Sequence, residues 1–142
     1  MTKIQLPHDH GAHPKGLLED PPSPEEFAEL SLLLRQLGDA SRLRLFWILC
    51  HCEECVINLS AMMGMSSPAV SHHLKQLRTS GLITSRRDGK EVYYRAQNNA
   101  RTRLLHQLIE ELVQHICPGV ADPAEAFPQK DEPAPGEETG AR

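Results

Sequence analysis

Apolar positions along this chain fall into five helical stretches and one pair of alternating segments. The first stretch opens at Ser23-Pro24-Glu25-Glu26, where Ser23 can cap, Pro24 fits the first helical position and Glu26 completes a capping box ahead of Phe27, Leu30, Leu33, Leu34 and Leu37. Gly38 ends it. Asp39 then caps a second helix in which Leu43, Phe46, Trp47 and Cys50 recur at i, i+3, i+4 and i+7, a stripe expected to face the core. From Cys55 a third helix turns Val56, Leu59, Met62 and Met63 inward and stops at Gly64. A fourth follows, with Ser66 or Ser67 as its cap and Pro68 in its first turn; Val70, Leu74 and Leu77 point inward, leaving Ser67, Ser71, His72, Lys75 and Arg78 outward. After Gly81 the run LITSRRDGKEVYYRA reads as two strands around Asp88-Gly89, a favoured tight-turn dipeptide. The last helix, roughly residues 98 to 116, carries Leu104, Leu105, Leu108, Leu112 and Ile116.

Two short helices joined by a tight turn, the second basic and polar outward, have the outline of a helix-turn-helix. The hairpin behind them is expected to be a wing, with Arg86, Arg87 and Lys90 beside its turn. The fold class predicted is therefore mainly α with a small β-hairpin wing, a winged helix-turn-helix of about five helices. Its first and last helices are expected to find their cover in a second copy, giving a two-fold homodimer.

Charge sharpens this picture. The chain of 142 residues has a formal net charge of -4, but the segment 66 to 103 holds eight Lys or Arg (Lys75, Arg78, Arg86, Arg87, Lys90, Arg95, Arg101, Arg103) against only Asp88 and Glu91. Such a basic face is the footprint of a polyanion, here double-stranded DNA. The acidic residues are concentrated at the two ends. Residues 1 to 22 are expected to form a disordered His-containing arm, 23 to 117 the DNA-binding and dimerisation domain, and 118 to 142 a disordered acidic Pro-rich tail. No apolar run approaches the roughly 18 residues of a membrane span. The N-terminus lacks the apolar core of a secretion signal, so a cytoplasmic protein with four reduced Cys is expected. No phosphate-binding Gly loop or nucleophile-base-orienter set is present in the sequence, which leaves a Cys/His enzyme as a remote reading and makes a non-enzyme the expectation.

The strings LGDASRLRLFWIL (37 to 49), ECVINLSAMMGMSSPAVSHHLKQLRTSGLI (54 to 83) and RRDGKEVYY (86 to 94) together resemble the ArsR/SmtB family of metal-sensing bacterial repressors, over roughly residues 25 to 117. The resemblance implies a winged helix-turn-helix dimer that represses by binding an inverted-repeat operator and leaves it when an inducer, most often a metal ion, binds. It puts Ser67, Ser71, His72 and Lys75 on the face lying in the major groove. The DNA-contacting set expected is Ser66, Ser67, Ser71, His72, Lys75, Gln76, Arg86, Arg87 and Lys90.

The candidate effector chemistry lies in Cys50-His51-Cys52-Glu53-Glu54-Cys55. Thiolates at this spacing, between two helices, can converge on a soft ion such as Zn, Cd, Pb or As(III). Many members of the family carry ELCVCDL here and bind metal through one or both Cys. In this chain the string is EECVINL, so Cys55 matches the first Cys and Ile57 replaces the second. Cys52 can substitute, with Cys50, His51, Cys117 or one of His8, His10 and His13 completing the set. Cys52 and Cys55, flanked by acids, are expected to be exposed, whereas Cys50, on the apolar stripe, reads more readily as a small buried hydrophobe. A second family site on the last helix corresponds to Asn98, Ala100, Glu111 and Gln114, three of which are not ordinary ligands. His106 and His115 read as surface charge-pair residues, and His72 and His73 as DNA-face and packing residues. The alternative to a metal sensor is a thiol redox or persulfide switch of the same fold, through Cys52 with Cys55 or Cys117.

Overall fold

The computed structural model describes residues 4–14 and 16–116. The chain divides into two compact units, with the boundary in sequence between Gln97 and Asn98. The first holds α1 (Pro24–Gln36), α2 (Ala40–His51), β1 (Glu54–Cys55), α3 (Val56–Met63), α4 (Ser67–Thr79), β2 (Ile83–Asp88) and β3 (Glu91–Ala96); the second holds α5 (Ala100–Ile116). No helix among the described residues is long and apolar enough to cross a membrane.

Both predicted caps at the front of the first unit are present. Ser23 Oγ accepts the Glu26 N–H at 3.1 Å while Glu26 Oε2 accepts the Ser23 N–H at 2.7 Å, so two otherwise orphaned donors of α1 are satisfied reciprocally. Asp39 Oδ1 accepts the Arg42 N–H at 2.9 Å and starts α2. That hydrogen bond to the ionised form holds the Asp39 carboxyl below its ordinary value. The two helices then part company. No residue of α1 is buried, whereas α2 buries Leu45, Phe46, Ile48 and Leu49.

The buried set of α2 differs from the predicted stripe. Phe46 is inside, but Trp47 is 38% exposed and Leu43 and Cys50 are only half-buried. The reason is that α2 packs against α3, α4 and β3 together, so its burial follows several faces rather than one line. Leu59 of α3, Val70, Leu74 and Leu77 of α4, and Leu82 and Ile83 entering β2 complete the core of this unit. Leu59 and the three α4 positions are those their helical periodicity assigned inward. Of the other α3 positions, Met63 is buried, Val56 is half-buried and Met62 is exposed.

The turn between α3 and α4 is built by Gly64 at φ +64°, a left-handed conformation that lets the helix end as the Met65 N–H reaches back to the Ser60 carbonyl. Ser66, not Ser67, caps α4, its Oγ accepting the Ala69 N–H at 3.3 Å. The hairpin loop is Gly89-Lys90, because Asp88 still pairs with Glu91 across the strands; Gly89 takes φ +62°. One element was not anticipated. The two residues of β1 pair antiparallel with β3, Glu54 with Tyr94 and Cys55 with Tyr93, so the wing hairpin belongs to a three-stranded sheet of order β1-β3-β2.

In the second unit, Asn99 Oδ1 accepts the Thr102 N–H at 2.9 Å and opens α5. The helix carries the i, i+4 pairs His106 with Glu110 and Gln107 with Glu111, each at 3.1 Å. Leu104, Leu108, Leu112 and Ile116, four residues apart along one side, are all exposed.

Candidate DNA-reading surface and thiol cluster

Helix α4 presents its outward residues as its amphipathic pattern requires. With Val70, Leu74 and Leu77 fixed in the core, Ser67, Ser71, His72, Lys75 and Arg78 are exposed on the other side. Ser67 Oγ lies 3.1 Å from Ser60 Oγ, joining the two helices of the pair. Ser66 is taken up as the cap.

Gln76 has a different setting from its neighbours. It is half-buried, and its Oε1 accepts from Arg42 Nη1 at 2.7 Å while its Nε2 lies 3.3 Å from His72 Nε2. Arg42 also donates through Nε to the Gln36 carbonyl at 2.8 Å. One guanidinium therefore ties the end of α1 to the side of α4, and Gln76 braces His72 from within. His73 turns inward, with its Nδ1 buried and unpartnered among the described residues.

On the wing, Arg87 and Lys90 are exposed beside the turn. Arg86 is exposed as well, but it is engaged by other side chains of the molecule. Its Nε donates to Glu53 Oε1 at 2.7 Å, its Nη1 is 3.6 Å from Asp88 Oδ2, and its guanidinium lies 4.9 Å from the centroid of the Tyr93 ring. Arg95 Nε approaches the other Glu53 oxygen at 3.9 Å. These cations, the Arg86 hydrogen bond foremost, hold the Glu53 carboxyl below its ordinary value. The sequence gives no local sign of Glu53, because its partners lie on strands more than thirty positions away.

The thiol segment runs through three kinds of backbone in six residues. Cys50 and His51 end α2, where the His51 and Trp47 rings lie 4.5 Å apart between centroids. Cys52 is the extended cap residue of that helix, and its Sγ donates to the Ile48 carbonyl at 3.5 Å. Glu54 and Cys55 form β1, and Cys55 leads into α3 without a side-chain cap bond. Glu54 Oε2 accepts from Asn58 Nδ2 at 2.8 Å. The exposure expected from the flanking acids is not found: Cys55 is buried at 8% exposure and Cys52 is half-buried, like Cys50. Cys55 is held in β1 by its pairing with Tyr93 of β3, and Cys52 is tied to the end of α2. Burial, with the Glu54 charge nearby, pushes the Cys52 thiol above its ordinary value. No three of Cys50, His51, Cys52 and Cys55 bring ligand atoms within 4.8 Å of one another. Cys117 lies outside the described residues. His8 and His10 stack at 5.9 Å in the segment before α1.

A capped, basic recognition helix behind a left-handed glycine turn, followed by a cationic hairpin, defines a winged helix-turn-helix DNA-binding regulator. Residues 39–85 match the family described as bacterial regulatory protein, arsR family, and the chain belongs to that family. It is 33% identical over 104 residues to the HTH-type transcriptional regulator KmtR of Mycobacterium tuberculosis, covering 71% of this chain and 77% of that protein. It is 32% identical over 90 residues to the arsenical resistance operon repressor of Staphylococcus aureus, covering 63% and 79%. Among solved structures, the transcriptional repressor BigR from Xylella fastidiosa is similar at a TM-score of 0.58 and 30% identity, covering 66% of this chain and 91% of that one.

Proposed function

We propose that the protein is a transcriptional repressor that binds an inverted-repeat operator as a homodimer and is released by a thiophilic ion held at the thiol segment. The observation that carries this reading is the position of that segment. Cys52 precedes the strand that joins the wing's own sheet and Cys55 belongs to it, so a ligand there acts on an element of the DNA-binding apparatus. Ser67, Ser71, His72 and Lys75 read the major groove, and Arg86, Arg87 and Lys90 meet phosphate or the minor groove. Gln76 serves His72 from behind.

Dimerisation follows from uncovered apolar surface. α1 leaves Phe27, Leu30, Leu32 and Leu34 exposed, and α5 leaves Leu104, Leu108 and Leu112 exposed, more than a lone small domain ordinarily shows to water. A second copy covers these faces and places two recognition helices in successive major grooves, about 34 Å apart.

For the ion, three thiols within six residues suit Zn, Cd, Pb or As(III), and a relative named for arsenical resistance supports the thiophilic class. Cys52 and Cys55 are the principal donors, with Cys50, His51 and Cys117 as further ones. To bind, Cys52 must give up both its proton and its bond to the Ile48 carbonyl, so occupancy alters the end of α2 and the start of β1.

The test is elemental analysis of anaerobically purified protein, then operator binding with and without each ion. Cys52→Ser and Cys55→Ser should bind DNA normally and fail to release it. Normal release by both variants under reducing conditions would overturn the sensor assignment. Replacing Ser71 or His72 should change which operator is preferred.

A further inference from the structure

Across a pleated antiparallel sheet, directly paired residues share a face. The register aligns Cys55 with Tyr93 and Tyr93 with Arg86, so a buried thiol, a ring and the wing's guanidinium form one row across the three strands. The guanidinium stands over the ring, and it also donates to Glu53, two residues before Cys55 in sequence. Arg86 and Arg87 are both exposed, but Arg86 is thus occupied by a carboxylate in the place where a wing cation would meet a phosphate.

We infer that Glu53 is a positioning residue for DNA binding: it is the internal counter-charge of the wing, competing with the DNA backbone for Arg86. Carboxylate and phosphate are recognised by the same planar fork of N–H donors, so one guanidinium cannot serve both fully. Glu53 lies between Cys52 and Cys55, so the segment that holds an effector also sets how far Arg86 is released to DNA. The inference rests on the reading that the wing touches DNA, and its effector half on the reading that the cysteines bind the ion.

A mere brace and a competitor differ in sign. Losing a brace would loosen β1 and weaken DNA binding, whereas losing a competitor strengthens it. The experiment is a double-mutant cycle of Glu53→Gln and Arg86→Ala, read as operator affinity over a range of salt, with thermal unfolding of each variant recorded alongside. Arg86→Ala should weaken binding and flatten the salt slope by about 0.9 for each phosphate that Arg86 no longer neutralises. Glu53→Gln should tighten binding about 3-fold, a modest gain because exposed ion pairs are weak, and should steepen the slope. In the Arg86→Ala background Glu53→Gln should do nothing. An equal gain in that background would mean simple removal of a negative charge, and weaker binding by Glu53→Gln would mean a brace; either overturns the inference. No effect of Arg86→Ala would instead overturn the wing reading beneath it. Added Cd(II) should release the Arg86→Ala variant by a smaller factor than the parent. Equal factors would break the link between cluster and wing, while no release of the parent would break the metal reading and leave the mutant cycle standing.

Discussion

Helices α1 and α2 start within sixteen residues of each other, each on a side-chain cap, and each is rich in Leu, yet one buries nothing and the other buries four large side chains. Caps and propensity are enough to specify that a helix forms. They do not say what its apolar face meets. α2 finds α3, α4 and β3 within its own chain, while α1 and the exposed side of α5 present Leu and Phe that only a further surface can cover. The contrast separates the part of the molecule that folds on its own account from the part reserved for assembly.

Four experiments press on that contrast. The largest effect is expected from Phe46→Ala, which empties a fully buried site on α2 and should cost about 3–5 kcal/mol, read as a large fall in Tm or in the denaturant midpoint. Next, Leu30→Gln combined with Leu34→Gln on α1 should leave the fold of the monomer intact but raise the dimer dissociation constant on the order of 100-fold, since four half-exposed Leu per dimer lose their burial. Sedimentation over a concentration series checks this, and an unchanged monomer-dimer equilibrium would remove α1 from the interface. Third, Ser23→Ala breaks the capping box and should cost about 1 kcal/mol, appearing as fraying of α1 in amide exchange with α2 unaffected.

The smallest effect concerns pH. The Cys52 thiol is raised in the folded protein, so the native state holds that proton more firmly than the unfolded chain does. Stability should therefore be fully present below the ordinary thiol range and decline slightly as pH rises through and above it. The Cys52→Ser variant should lack that decline. By the same logic, ion binding at Cys52 releases a proton and should weaken as pH falls.

Local features were legible in the sequence. The Ser23 box, the Asp39 cap, the Val70, Leu74 and Leu77 face of α4 and the turn at Gly64 each depend on residues within one or two helical turns, and each is where its pattern put it. What escaped was set by neighbours distant in sequence. A two-residue strand has no periodicity to read, so β1 was invisible, and with it the burial of Cys55. Trp47 fits a core stripe by spacing and is exposed because α2 is gripped from several directions. The hold of Arg42, from another helix, on Gln76 of α4 has no local sign in the sequence either.

The pairing of β1 with β3 also bears on the order in which the molecule assembles. Glu54 and Cys55 meet Tyr94 and Tyr93 only after all of α3, α4 and β2 have been traversed, whereas the hairpin itself closes over two residues. Closing so long a loop for so short a strand is entropically unfavourable, so this seam should zip last and open first among the sheet's bonds. The backbone amides of the β1–β3 seam should then exchange with solvent ahead of those between β2 and β3. The β2–β3 hairpin should therefore be complete before β1 docks onto its edge.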